Sequence, residues 1–202
     1  MKITAIKTQV KRAGRYSIFV DGAYSFSLSD MALLESKLVA GQELTQQEVK
    51  DYKQLSDDDK LYGRVLQYLA LRPRSEWEVK TYMERKKASP ALVTLILNKL
   101  SINGLLDDRK FAESFVRDRQ LLRPTSKRKL TLELRKKNVP SDIIQEVIVE
   151  GGGEDSTALH ELVARKRKQT RYQDDLKLMQ YLARQGFGYG DIKAALQVES
   201  ED

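Results

Sequence analysis

Cysteine is absent from this chain, and histidine occurs once, at position 160. Without thiols there is no disulfide framework, no thiolate nucleophile and no sulfur-ligated metal site. The lone histidine has no partner at metal-ligand spacing, so His160 reads as a helix-surface or packing residue. Long apolar runs are missing too, and none approaches the roughly 20 residues a spanning helix needs. The first residues, MKITAIKTQVKR, lack a continuous apolar stretch, so no signal peptide is expected. The missing thiols suit a reducing cytoplasm. Catalytic signatures are equally scarce. There is no Gly-x-Ser-x-Gly elbow, no metalloprotease His-Glu pair and no dinucleotide fingerprint. Gly151-Gly152-Gly153 lacks the Gly-Lys-Ser/Thr ending of a phosphate loop and reads as a linker and hinge. Asp107 and Asp108 are adjacent and do not face each other on a helix, so capping accounts for them. The expectation is a non-enzyme with no metal and no cofactor.

Charge is what the chain has in quantity. Its 202 residues carry 36 Lys+Arg against 29 Asp+Glu, a net +7. The length is enough for one to two domains with a real core. A basic excess points to nucleic acid, an anionic protein surface or an acidic membrane face. The excess is uneven, with +1 over residues 1–57 and +6 over residues 58–202.

The two regions differ in periodicity as well. Over residues 1–28, Tyr16, Ile18 and Val20 alternate with Ser17 and Phe19, and Tyr24, Phe26 and Leu28 resume the alternation after Asp21-Gly22. That pattern predicts a three-stranded antiparallel sheet with a tight hairpin. Ser29 or Asp30 then caps a short helix to about Leu38, and Thr45 caps a second, about 46–55. Beyond residue 57 the periodicity is helical and repeats itself. Met83–Leu97, Leu134–Ile148 and Leu182–Leu196 align without gaps at offsets of 51 and 48 residues. Leu92, Ile143 and Asp191 fall in one column. Val93, Ile144 and Ile192 share the next; Ile96, Val147 and Ala195 another; Leu97, Ile148 and Leu196 the last. A first helix precedes each copy, at Tyr62–Leu71, Asp108–Leu122 and Ala158–Lys168. The expected fold is therefore mostly α: a small β segment with two short helices (1–57), then three-helix repeats at 58–106, 107–150 and 151–202. The apolar residues at 92, 93, 96, 97, 143, 144, 147 and 148 are expected to be buried.

The stretch Gly104–Arg119, GLLDDRKFAESFVRDR, sits at the centre of the array. Gly104 suits a left-handed helix end, Asp107 an N-cap, and Phe111, Ala112, Phe115 and Val116 one apolar stripe. Gly-Leu-Leu-Asp-Asp-Arg-Lys-Phe-Ala followed by Phe-Val-Arg-Asp-Arg resembles the central motif of the RecX family, bacterial regulators of the RecA recombinase. Arg72-Pro73-Arg74-Ser75 and Leu182-Ala183-Arg184-Gln185-Gly186-Phe187 resemble the family too. The resemblance covers residues 58–198, and the first segment more loosely. It implies a tandem three-helix array that binds the RecA–DNA filament groove. It further implies inhibition of ATP-dependent strand exchange, with roles in recombination, repair and the SOS response.

The candidate partner-binding residues are cations. From Arg109 to Lys137 there are 11 Lys+Arg against three acids. Arg109, Arg117, Arg119, Lys127, Arg128, Lys129, Arg135, Lys136 and Lys137 form the first cluster, and Arg165, Lys166, Arg167 and Lys168 the second. Arg72 and Arg74 are further candidates upstream. Two runs on successive repeats can form one strip for phosphates or an acidic protein groove. Lys127, Arg128 and Lys129 are expected to be exposed. The expected partners are the RecA filament and single-stranded DNA, with duplex DNA a further candidate. No membrane is expected, and the chain is expected to be a monomer. The alternative is a direct DNA-binding protein of helix-turn-helix-like repeats; a third reading is a scaffold for an acidic protein.

Overall fold

The structure, a computed structural model, describes residues 1–199, with side chains to Gln197. Strands β1 (Ile3–Thr8), β2 (Arg15–Val20) and β3 (Ala23–Ser29) form an antiparallel sheet in that order. The β2–β3 turn is built by Asp21 and Gly22, whose φ values of 50° and 83° are the left-handed pair such a hairpin requires. Ser29 caps α1 (Asp30–Ser36), its side chain accepting from the Ala32 N–H. Ile3, Ile18, Leu28 and Val49 are among the residues that close a core between the sheet and the helices that follow.

Helix α2 (Gln46–Ala70) runs 25 residues without a break. The expected end near residue 55 and new start at Tyr62 are therefore one helix, and the boundary drawn at residue 57 falls inside it. The reason is tertiary. Asp57-Asp58-Asp59 looks like a helix start, yet Asp59 is spent on the sheet. Its carboxylate accepts from the Ser29 N–H at 3.0 Å and hydroxyl at 2.6 Å, and pairs with Arg15 at 2.9 Å. One turn earlier, Ser56 donates to the Ser27 carbonyl at 2.6 Å. These bonds satisfy the outer edge of β3 and hold α2 along it.

The remaining helices are α3 (Glu76–Arg85), α4 (Pro90–Ile102), α5 (Asp108–Leu122), α6 (Lys127–Arg135), α7 (Ser141–Gly151), α8 (Asp155–Arg167), α9 (Asp175–Arg184) and α10 (Tyr189–Glu199), with a single 3-10 turn at Thr170–Tyr172. The fold is mostly α, a tandem array of three-helix repeats preceded along the chain by a small sheet. By compactness the chain divides into two units: Met1–Arg72 with Met83–Ile96, and Pro73–Tyr82 with Leu97 onward. Within the second unit, α5–α7 close around Phe111, Val116, Leu130, Leu134 and Ile144. Helices α8–α10 close around Leu159, Leu162, Leu178, Leu182 and Ile192.

The repeat register survives with two adjustments. Val93, Ile96, Ile144, Val147 and Ile148 are buried, as are Ile192, Ala195 and Leu196. Leu92, Leu97 and Ile143 are only half-buried, and Asp191 is exposed. The column holding Leu92, Ile143 and Asp191 lies on the flank of the stripe, which is why it admits an aspartate. In α4 the inner stripe continues to Leu100 instead. Gly151–Gly153 is not a loose linker. Gly151 ends α7, and Gly152 is buried so closely that a Cβ there would lie 2.3 Å from the Ile148 carbonyl oxygen.

Candidate nucleic-acid interface

The register extends to polar atoms and builds the same joint twice. Lys87, Asn138 and Gly186 occupy equivalent positions just after α3, α6 and α9, and all have positive φ (61°, 51° and 93°). This left-handed residue ends each middle helix. Ser75, which starts α3, donates its hydroxyl to the Lys137 carbonyl at 2.9 Å. Its equivalent Ser126, the N-cap of α6, reaches the Gln185 carbonyl through its N–H at 3.2 Å and its hydroxyl at 3.3 Å. Thr125 adds a third donor there at 3.2 Å. The first residue of each following helix closes the joint from the other side. Asp108 accepts from the Glu76 N–H, and Asp155 from the Lys127 N–H, both at 2.8 Å. Burial pushes the Asp108 carboxyl above its ordinary pKa, against the opposing pull of that N–H.

The side chains beside the two joints differ in kind. At the first, Glu78 takes the Lys137 ammonium at 2.7 Å and also forms a capping box with Ser75. At the second, the residue equivalent to Glu78 is Lys129. Its Nζ donates to the Arg184 carbonyl at 2.7 Å and to Gln185 Oε1 at 3.0 Å. The first joint is an ion pair; the second gives its cation carbonyl oxygens and, among the described residues, no carboxylate.

That second joint opens into a cleft of about 620 Å³ walled by α5, α6, α8 and α9. Arg119, Arg123, Lys129, Arg165 and Lys166 line it, with Glu133 the single acid, alongside Leu122, Thr125, Gln169, Tyr181 and Gln185. Arg119 is fixed by Glu133 at 2.9 Å and lies 5.1 Å from the Phe115 ring centroid. Lys166 sits over the Tyr181 ring at 4.7 Å and the Tyr172 ring at 5.3 Å. Arg123 and Arg165 are exposed, with no acidic partner among the described residues.

The two predicted basic runs thus converge in part. Arg119 and Lys129 from the first meet Arg165 and Lys166 from the second. Arg109 is elsewhere, held by Glu113 on its own helix and by Glu146 and Glu150, which tie α5 to α7. Its hydrogen bond to Glu146, then the charge of Glu150, raise its already high pKa. Arg167 is bound by Asp175 and by the carbonyls of Tyr172 and Gln173, closing the α8–α9 connection. Lys137 belongs to the first joint. Arg117, Arg128, Arg135, Lys136 and Lys168 are exposed; Arg72 is exposed and Arg74 half-buried. The trio Lys127, Arg128 and Lys129 is not uniformly exposed as expected. One helical turn points Lys129 into the joint and leaves only Arg128 fully outward. Arg123 is not among the cations that the two runs single out; its signal in the sequence is its place one residue past α5, where a cation also meets the helix's negative end. His160 is exposed, Trp77 is partly exposed and Phe187 is buried. No group of three or more acidic, His or Cys residues that could hold a metal ion occurs among the described residues. No helix among them is long and apolar enough to cross a membrane.

A sheet followed by three-helix units on repeated polar joints, with a cationic cleft at one of them, defines a modular helical-repeat protein. Comparison with known families then specifies it. The RecX first three-helix domain matches residues 62–100, the RecX second three-helix domain residues 107–148, and the regulatory protein RecX N-terminal domain residues 1–45. The chain belongs to the RecX family of regulatory proteins. Regulatory protein RecX of Lactobacillus johnsonii is 37% identical over 149 residues, covering 73% of this chain and 54% of that protein. The Bacillus subtilis relative is 29% identical over 206 residues, 99% of this chain and 78% of its own length. The chain thus spans about half the length of the first relative. A crystal structure of a regulatory protein RecX superposes with a TM-score of 0.73 at 26% identity, covering 97% of this chain and 98% of that one. RecX from Lactobacillus salivarius gives 0.55 at 25%, covering 72% and 98%.

Proposed function

We propose that the protein is a non-enzymatic modulator of RecA–DNA filaments that binds along the filament groove and inhibits the recombinase, regulating recombination and repair. Family membership supports the partner. The observation that carries the physical part is the repeated joint, which sets successive three-helix units in one polar register. An array of that kind follows a helical groove with several weak contacts that reinforce one another through effective concentration. Binding would favour one filament state and oppose the subunit motion that ATP turnover requires.

Direct binding to DNA is the second reading, favoured by the cleft with five cations and one acid. Base-specific readout would need a helix presenting Arg, Asn or Gln to base edges, and the second joint offers phosphate ligands instead. One experiment separates the readings: binding to bare single-stranded DNA, to RecA alone and to their filament, at one salt concentration. The expected result is preference for the filament, with lowered RecA ATPase and no ATP turnover by the protein itself. Equal ATPase with and without the protein would sink the modulator reading.

A further inference from the structure

We propose that the cleft at the second joint is a single-stranded DNA site that takes the sugar–phosphate backbone without reading bases. The proposal rests on the reading above only in taking DNA as the ligand. Five cations converge there from two repeats: Arg119, Arg123 and Lys129 on one side, Arg165 and Lys166 on the other. Concentrating like charge in one concavity opposes the closing of the joint unless an anion enters it. The cations are also held in place beforehand. Glu133 and Phe115 position Arg119, two carbonyl oxygens position Lys129, and Tyr181 positions Lys166. Arg123 and Arg165 are left exposed to receive phosphate oxygens.

The lining also argues for the class of ligand. A protein segment would need apolar anchors at its centre, and Leu122 is the only aliphatic residue there. Stacking a base would need an open aromatic face, and the ring of Tyr181 is already occupied by Lys166. Phosphates remain as the groups that the cleft satisfies. Because its walls come from two repeats, the bound strand bridges them and tightens the joint.

The test measures binding of fluorescein-labelled oligo(dT) to the full chain, without RecA, over a fourfold range of salt. The pair Arg123→Ala with Arg165→Ala should weaken binding roughly tenfold and flatten the log–log salt slope by about 1.4, the loss of two phosphate contacts. Arg123→Lys with Arg165→Lys should keep most of the affinity, since a backbone site needs charge rather than a bidentate fork. Arg117→Ala with Arg128→Ala removes the same charge outside the cleft and should cost under about threefold. Equal losses from the two alanine pairs would overturn the proposal in favour of a diffuse field. Polyglutamate competing as well as oligo(dT) would overturn it in favour of an acidic protein. RecA inhibition is measured separately, so either proposal can fail alone.

Discussion

A methyl group on Gly186 would lie 2.4 Å from Ser126 Oγ and 2.8 Å from Lys129 Cβ, in a backbone conformation at φ 93°. Asn138 tolerates the equivalent position, so the glycine here answers to close approach as well as to backbone angle. Gly186→Ala should therefore cost about 2–4 kcal/mol, from overpacking and left-handed strain together. It removes no cation, but by pressing on Lys129 it should weaken oligo(dT) binding as well. A thermal midpoint equal to the parent's would mean that Ser126 and Lys129 yield easily and that the joint is soft. Arg109 shows the opposite use of charge. Its place in the first basic run makes it a candidate for a partner contact, but three glutamates claim it, and at an exposed site each pair contributes little alone.

At the level of elements, α2 carries the N-terminal fold on two sets of polar contacts. Ser56 and Asp59 fasten its middle to β3, and a capping box closes its start. In the box, Glu48 accepts from the Thr45 N–H at 2.7 Å and hydroxyl at 2.8 Å, and the backbone bond above all holds its pKa below the ordinary value. A lowered carboxylate pKa stabilises the folded end at pH above the unfolded value. That contribution is lost as pH falls through the lower, folded value. Protection factors of the Thr45 and Glu48 amides should therefore decline in acid, and Glu48→Gln should remove the pH dependence. Amides that keep full protection across that range would show that packing of Val49, not the box, holds the helix end.

For the molecule as a whole, cores are local and joints are polar. The second and third three-helix units each have their own cluster of fully buried Leu and Ile. Stability of such an array is a sum of unit terms and neighbour terms. Ile144→Ala should cost the α5–α7 unit about 2–5 kcal/mol, read as a lowered urea midpoint. Amide exchange should rise first in α5–α7, with α8–α10 following only through the loss of Ser126 and Thr125 as partners of Gln185. Uniform loosening of both would mean that the two units unfold as one.

The periodicities alone determined the three strands, the left-handed hairpin, the bounds of α5 and the repeat register, because each depends on neighbours within a few residues. Family membership was legible in GLLDDRKFA for the same local reason, since helix end, cap and apolar stripe fall within one short stretch. Tertiary structure decided the rest. Whether Asp59 starts a helix or braces a sheet depends on Arg15 and Ser29, about thirty or more residues away in sequence. Whether Arg109 and Lys129 face a partner depends on Glu146, Glu150 and Gln185, which are distant along the chain and adjacent only after packing. A count of charges cannot separate a cation that is already paired from one still waiting for an anion; the fold does so at Arg109 and at Arg123 by placing acids beside one and not the other.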